Sequence, residues 1–290
     1  MEYVLHQLFA GLATGGIYAS VALAIVMIFQ TTHHVNFAQG EMAMFSTYLA
    51  WVMLQAGFSY WIAFGATVVL SFLLGAVVER VVVRRMNDAP VLAVVVVFIG
   101  LMVIFNSLAG WLFGFSTQQF PSPFPADAWF GSRYMSAHGV GSIGVTLVML
   151  VLLFVFFRFT PLGLSLRAVA QNPASSRLVG VRVGRILGLG WGLASVIGAI
   201  AGMMVAPVVY LDPNMMTGVL IYAFAGALLG GITSPLGAVL GGFIVGILEN
   251  LMGAFVIGNE LKLTVALVLI VVVLIVRPSG LLGKPQFNRV

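Results

Sequence analysis

The sequence predicts an all-α integral membrane protein: a polytopic helical bundle of about 8–9 transmembrane helices, some of them short or broken. Three observations predict it. Of the 290 residues, 61% are hydrophobic and only 7% charged, with a mean hydropathy of +1.12. A soluble domain carries about 25% charged residues, so this chain cannot cover a water-facing surface and lipid must be its main solvent. Apolar runs near the length that crosses a bilayer, about 17–25 residues, recur from one end to the other. Finally, most Lys and Arg fall in three short segments, as expected where basic residues report orientation rather than a polyanionic partner.

Taken in order, the runs place spans near 8–29, 41–56, 60–79, 90–113, 140–157, 186–209, 218–233, 236–257 and 261–276. Those near 41–56, 218–233 and 261–276 are short, which suggests broken or tilted helices. The N-terminal MEYVLHQLF lacks the positive region of a cleaved signal peptide, so the first run is expected to be retained. The 34 glycines suit close helix contacts in a bilayer. Cysteine is absent, which excludes disulfides and thiolate metal sites. No internal repeat or second domain is evident, and 1–290 reads as a single membrane domain.

Orientation follows from the basic segments. Arg80, Arg84 and Arg85 form the first. Arg158, Arg167, Arg177, Arg182 and Arg185 form the second, and Arg277, Lys284 and Arg289 the tail. The positive-inside rule assigns all three to the cytoplasm, and with them the C-terminus. Arg133 and Lys262 then lie outside. The segment 114–139 becomes an external loop whose alternating Pro121, Pro123 and Pro125 favour an extended course. Nine crossings put the N-terminus outside. A net charge of +5 therefore implies no nucleic-acid partner.

The stretch HHVNFAQGEMAMFS, 33–46, holds an unusual share of the polar side chains. Asn36 and Gln39 have capping-box spacing, with Glu41 in the first turns of the following helix, where the helix dipole favours a carboxylate. This is expected at the cytoplasmic end of the first span. The same groups, Asn36, Gln39 and Glu41, are candidates to line a route or a moving contact. His33 and His34 are adjacent and do not share a helix face, so a metal site is not expected.

The connection 158–185 is longer than two spanning helices need. Within it Asn172 suits an N-cap, Pro173 the first helical position and Gly180 a C-terminal cap. A short helix at about 173–179 is expected, carrying Ser175, Ser176 and Arg177. An amphipathic turn before it, around Arg167, would set Leu164, Leu166 and Val169 against the membrane domain. Either this segment is a docking feature or it is a solvated basic loop that enforces orientation.

Toward the C-terminus, Gly226 and Gly230, Gly237 and Gly241, and Gly242 and Gly246 have the spacing that lets helix backbones approach closely. They are assigned to packing, with a narrow apolar path as the alternative. Gly230, Gly231, Ser234, Pro235 and Gly237 read as a tight turn. Glu249, beside Asn250, lies inside an apolar run and should face protein or water, paired with an arginine or placed on a path. Glu79 beside Arg80 reads as an interfacial charge, shallower than Glu41 and Glu249. Thr14, Tyr18 and Asn106 are expected to hydrogen-bond between helices, and Asp212 to sit in an external turn.

Three pieces, NFAQGE after the first span, LRAVAQNPASSRLVGVRVGRI in the central loop and AFAGALLGGITSPLGAVLGGFIVGILEN near the end, occur in that order in a known family. The chain resembles the permease subunits of branched-chain amino acid ABC importers, the LivH type, over about 8–282. In that family a His stands where this chain has Gln39, which removes a protonatable group. The resemblance implies that 158–185 is the ATPase-coupling loop, with Arg167, Asn172, Pro173, Ser175, Ser176, Arg177 and Gly180 in it. It also implies a second, LivM-like permease in a heterodimer, two ABC ATPases carrying ATP and Mg, and an extracytoplasmic solute-binding protein. The setting would be the bacterial inner membrane. The chain has no phosphate-binding loop, so ATP-driven transport requires the motor to be another chain. No cofactor is expected on this one, nor catalysis. An ion-gradient-driven carrier or channel is the alternative.

Overall fold

Prolines, glycines and a few side-chain caps punctuate an almost wholly helical chain in the computed structural model, which describes residues 2–86, 89–124 and 135–283. Eleven α-helices run through these residues: α1 (Glu2–Thr32), α2 (Gln39–Gln55), α3 (Tyr60–Val81), α4 (Val91–Phe113), α5 (Ala137–Phe159), α6 (Pro161–Gln171), α7 (Pro173–Leu178), α8 (Val183–Val209), α9 (Met215–Gly230), α10 (Pro235–Met252) and α11 (Lys262–Val276). Six candidate spans are long and apolar enough to cross a membrane, corresponding to α1, α3, α4, α5, α8 and α10; α9 and α11 are shorter apolar helices. The expected polytopic bundle is therefore present, and its short members are α2, α9 and α11. The α1 and α8 helices are mostly buried, whereas α3, α4 and α5 expose most of their length as apolar surface, which in this composition is surface for lipid.

The chain forms two units, each discontinuous in sequence. The first comprises Met1–Val26, Pro121–Leu150 and Thr217–Val290; the second comprises Met27–Phe120 and Val151–Met216.

Close backbone approach organises the first unit. A Cβ on Gly226 would lie 2.8 Å from the Gly242 Cα, and one on Gly241 or Gly230 would strike the facing backbone of Gly226 or Gly237. The α9–α10 hairpin thus packs backbone to backbone, and α10 does the same against α1 through Gly242 on Ala19 and Gly246 on Gly15. Its turn is built as the spacing suggests. Gly231 has φ +109°, a region L residues rarely adopt, and the Ser234 hydroxyl caps α10 by accepting from the Gly237 N–H at 3.1 Å, with Pro235 at the first position. The N–H groups of Leu281 and Leu282 then donate to Leu229 and Gly230 carbonyls at 2.8 and 2.9 Å.

In the second unit α8 is the axis. Gly75 of α3 lies against Trp191 and Ser195, Gly190 admits Thr31 and Leu166, and Gly202 admits Ala43 and Thr47. Trp191, fully buried, stacks on Phe98 of α4 at 5.8 Å. Residues 114–124 are non-helical, as the prolines require, and Gln118 and Leu211 exchange two backbone hydrogen bonds at 2.8 and 2.9 Å. Pro125, Arg133, Lys284 and Arg289 lie outside the described residues.

Candidate functional site

The α6–α7 connection is built by side-chain caps. Thr160 accepts from the Gly163 N–H at 3.0 Å and starts α6, again with proline at the first position. Gly163, Leu166 and Val169 form its buried face, while Leu164 is exposed. That corrects the expected face: a helix starting at Pro161 turns 163, 166 and 169 to one side and 164 to the other. Asn172 ends α6 and caps α7, accepting from the Ser175 N–H at 2.9 Å. The short helix ends at Leu178. Gly180, at φ +85°, donates to the Arg177 carbonyl at 3.1 Å, and Val181 donates to that of Ser176 at 3.0 Å, which completes a Schellman closure. Ser176 is buried; Arg177 is exposed, and Leu178 and Val179 are 89% and 79% exposed. Arg167 is exposed on α6. The result is a rigid, two-capped turn of helix that presents a cation and two aliphatic side chains outward.

Beside it is a cavity of about 380 Å³ lined by His33, His34, Val83, Asn172, Arg177 and Leu187, among others. His33 ends α1 with φ +55° and its Nε2 lies 2.9 Å from the Ala170 carbonyl at the end of α6. Partial burial, and secondarily the neighbouring His33, lower the pKa of His34 from its ordinary value. No cluster of three metal-ligating side chains occurs among the described residues.

From His33 the chain does not start a helix at once. The expected capping box does not form. Asn36 Oδ1 instead accepts from the Ala38 N–H at 3.0 Å, an Asx-type turn, and α2 begins only at Gln39 with Ala38 before it. Asn36 Nδ2 reaches Gln39 Oε1 at 3.4 Å, and Gln39 Nε2 donates to the Ala194 carbonyl at 3.1 Å. Ala194 and Gly198, which Gln39 also meets, are near the middle of the 27-residue α8. The start of α2 follows the end of the first span, as the sequence suggests, and lies at mid-height of its neighbour α8. Non-helical backbone at membrane depth is tolerated only when buried in protein with its polar groups satisfied. Asn36 and Gln39 supply that satisfaction, and both are fully buried. Glu41 follows in the first turn of α2, 4% exposed, and its Oε2 has no hydrogen-bond partner.

The second carboxylate cluster is in the first unit. Tyr18 donates its hydroxyl to Glu249 Oε2 at 2.7 Å and stacks on Tyr222 at 4.8 Å. Asn250 donates to Thr14 Oγ1 at 2.8 Å and to the Gly246 carbonyl at 2.9 Å. Glu249 is thus held by a phenol rather than an arginine. Thr14, Tyr18 and Asn106 all bond to other elements, Asn106 through the Pro213 carbonyl at 2.8 Å. Asp212 turns the chain by accepting from the Asn214 N–H at 2.7 Å.

Glu79 corrects a further expectation. It is not a shallow interfacial charge but fully buried, more so than Glu41 or Glu249, and its partner is Arg84. Arg84 Nε and Nη2 donate to its two oxygens at 3.1 and 2.6 Å, and Nη2 also donates to the Gly184 carbonyl at the start of α8. The chain leaves α3 at Val82 and folds back in a 3-10 turn, so a residue five positions on returns over the carboxylate. Sequence spacing alone gives no sign of that return.

Compared with known proteins, residues 7–274 match the family described as branched-chain amino acid transport system, permease component. The high-affinity branched-chain amino acid transport system permease protein LivH of Salmonella typhimurium is 27% identical, over 99% of this chain and 98% of that one. LivH of Escherichia coli K12 and BraD of Pseudomonas aeruginosa are each 28% identical with the same coverage. Among solved structures, PsaBC from Streptococcus pneumoniae in complex with Fab shares the fold, with a TM-score of 0.50 and 12% identity over 93% of this chain and 91% of that one.

Proposed function

Because the chain belongs to the permease-component family of branched-chain amino acid transport systems, we propose that it is the transmembrane permease of an ATP-driven importer for branched-chain or related amino acids. It works with a second, LivM-like permease subunit, two separate ABC ATPases that hold ATP and Mg, and an external solute-binding protein. The chain itself carries no cofactor. It spans the bacterial inner membrane with its basic segments and C-terminus on the cytoplasmic side.

The observation that carries the coupling role is α7. A six-residue helix capped at both ends, with Leu178 and Val179 almost fully exposed beside Arg177 on the basic connection between spanning helices, presents a small apolar surface suited to being covered by another protein. Arg167, Asn172, Pro173, Ser175, Ser176 and Gly180 shape the face the ATPase receives. Each unit, taken by itself, holds buried polar groups available to transport: Asn36, Gln39 and Glu41 in the second, Glu249 and Asn250 in the first. Half-helices that begin at mid-membrane commonly mark substrate sites in transporters, which supports placing the α2 start on a translocation path.

The test is uptake in proteoliposomes with all partners present. Arg177→Glu, or deletion of 173–179, is expected to abolish ATP-dependent uptake while the chain still inserts and pairs with its permease partner. Unchanged uptake in those variants, or uptake driven by an ion gradient without ATP, refutes the assignment.

A further inference from the structure

One face of α2 repeats at helical spacing: Glu41, Phe45, Tyr48. Phe45 meets Phe105 and Phe113 of α4 at ring distances of 5.6 and 6.2 Å, and Tyr48 stacks on Phe113 at 4.6 Å. Two polar atoms on this face are buried without a hydrogen-bond partner, Glu41 Oε2 and the Tyr48 hydroxyl, on residues 4% and 0% exposed. The Asn106 amide, which also bears on Glu41, places its hydrogens on the Pro213 carbonyl and Asn214 Oδ1, at 2.8 and 3.1 Å. The carboxylate of Asp212 bears electrostatically on both Glu41 and Tyr48, so the second charge felt here is also negative. The helices packed against α2 offer no cation here. The described α4 carries no charged residue, α8 has only Arg185 in its first turn, and Glu79 and Arg80 lie in the last turn of α3.

A buried carboxylate with an open lone pair and negative surroundings, one turn along the same helix face from an aromatic cluster, is an arrangement that can recognise an organic cation. We propose that Glu41, the Tyr48 hydroxyl and the rings of Phe45, Phe105 and Phe113 form a site for a primary ammonium group, the α-ammonium of a transported amino acid. The three N–H bonds of such a group suit one carboxylate oxygen, one hydroxyl oxygen and a ring face. A metal cation fits poorly, because hard cations take six or more oxygen ligands and this face is mostly ring carbon. The location agrees with a path role: Glu41 is in the first turn of a helix that starts at mid-height of α8. At 4% exposure the site is closed in this conformation, and filling it requires α2 and α4 to part.

The inference rests on the importer reading, but its test does not need the ATPases. The purified full chain is titrated in detergent with 3-methylbutylammonium chloride, sodium 4-methylpentanoate, leucine and sodium chloride, reading the thermal unfolding midpoint and the heat of binding. The ammonium and leucine should raise the midpoint saturably, while the carboxylate and sodium should not. Glu41→Gln and Tyr48→Phe should each weaken the apparent Kd at least about tenfold; the second, which removes one oxygen atom, keeps the test decisive should the first fail to fold. Ammonium binding as tight in both variants as in the natural chain, equal binding of the carboxylate, a shift reproduced by sodium alone, or no shift at all overturns the proposal. Separately, wild-type proteoliposomes with partners that show no ATP-dependent uptake overturn the importer reading and leave the binding result to stand or fall by itself.

Discussion

Replacing Arg84 by methionine should destabilise the protein by about 2–3 kcal/mol, more than replacing its partner. The structure sets the size. Removing one member of a buried ion pair costs about 3–5 kcal/mol, because the remaining charge stays desolvated; exposed pairs contribute about 0–1 kcal/mol. Here the pair is asymmetric. The Glu79 side chain is 1% exposed and that of Arg84 is 40% exposed, so the value falls between those limits. In Glu79→Gln the orphaned group is the guanidinium, which already reaches water and keeps an amide oxygen to donate to, so the loss should be only about 1 kcal/mol. The double variant should lose no more than about 1 kcal/mol, since neither charge is left alone. Reversible unfolding in mixed micelles of the four proteins, treated as a double-mutant cycle, measures the coupling directly. Equal losses in the two single variants, or additivity in the double, would refute the claim that the buried carboxylate dictates the energetics.

Other expectations follow from the same geometry. Asn172→Ala removes the α7 cap and should cost about 1 kcal/mol locally, seen as faster amide exchange over 173–178 and a lower ratio of uptake to ATP hydrolysed. Gly242→Leu puts a side chain into the Ala19 backbone and should prevent a monodisperse fold, whereas Gly100→Ala, where nothing lies within 4 Å, should leave thermal stability unchanged; size-exclusion profiles distinguish them. Tyr18→Phe takes the hydroxyl from Glu249 and should lower stability by about 1.5–3 kcal/mol, the usual worth of a hydrogen bond to a charged group. For His34 the sign is set by a folded-state pKa below the unfolded one. The unfolded chain binds the proton more readily, so this contribution is present above the unfolded pKa and declines as pH falls toward the folded one. Amide exchange in 33–38 should therefore quicken as pH drops through about 6.5, after correction for intrinsic exchange rates, and His34→Gln should flatten that dependence.

What the sequence discloses and what it hides divide along range of interaction. The α7 cap and the Ser234–Pro235 start of α10 are readable because each is closed by residues within a few positions. The close approach of Gly226 and Gly242 was readable too, since small residues four apart leave few alternatives in a bilayer. The level of α2 is hidden because Asn36 and Gln39 satisfy a capping-box pattern in sequence, while the fold gives them to Ala38 and to a carbonyl on α8. Glu79 reads as an interfacial charge because Arg80 adjoins it, but side chains at consecutive helical positions point about 100° apart, and the chain reversal after Val82 brings Arg84 over a fully buried carboxylate. Tyr48 and its open hydroxyl gave no sign at all in a chain with 22 phenylalanines and 7 tyrosines, since an aromatic on a helix is ordinarily filler.

The mid-height start of α2 also bears on how the chain is made. Its 17 residues, opening with a glutamine and a glutamate, form a weak autonomous membrane inserter, because a carboxylate in a short apolar segment resists entry into lipid. The carbonyl that receives Gln39 is 155 residues further along, so the seat for this helix has not been synthesised when the helix leaves the ribosome. Biogenesis must hold α2 in a provisional position until α8 arrives.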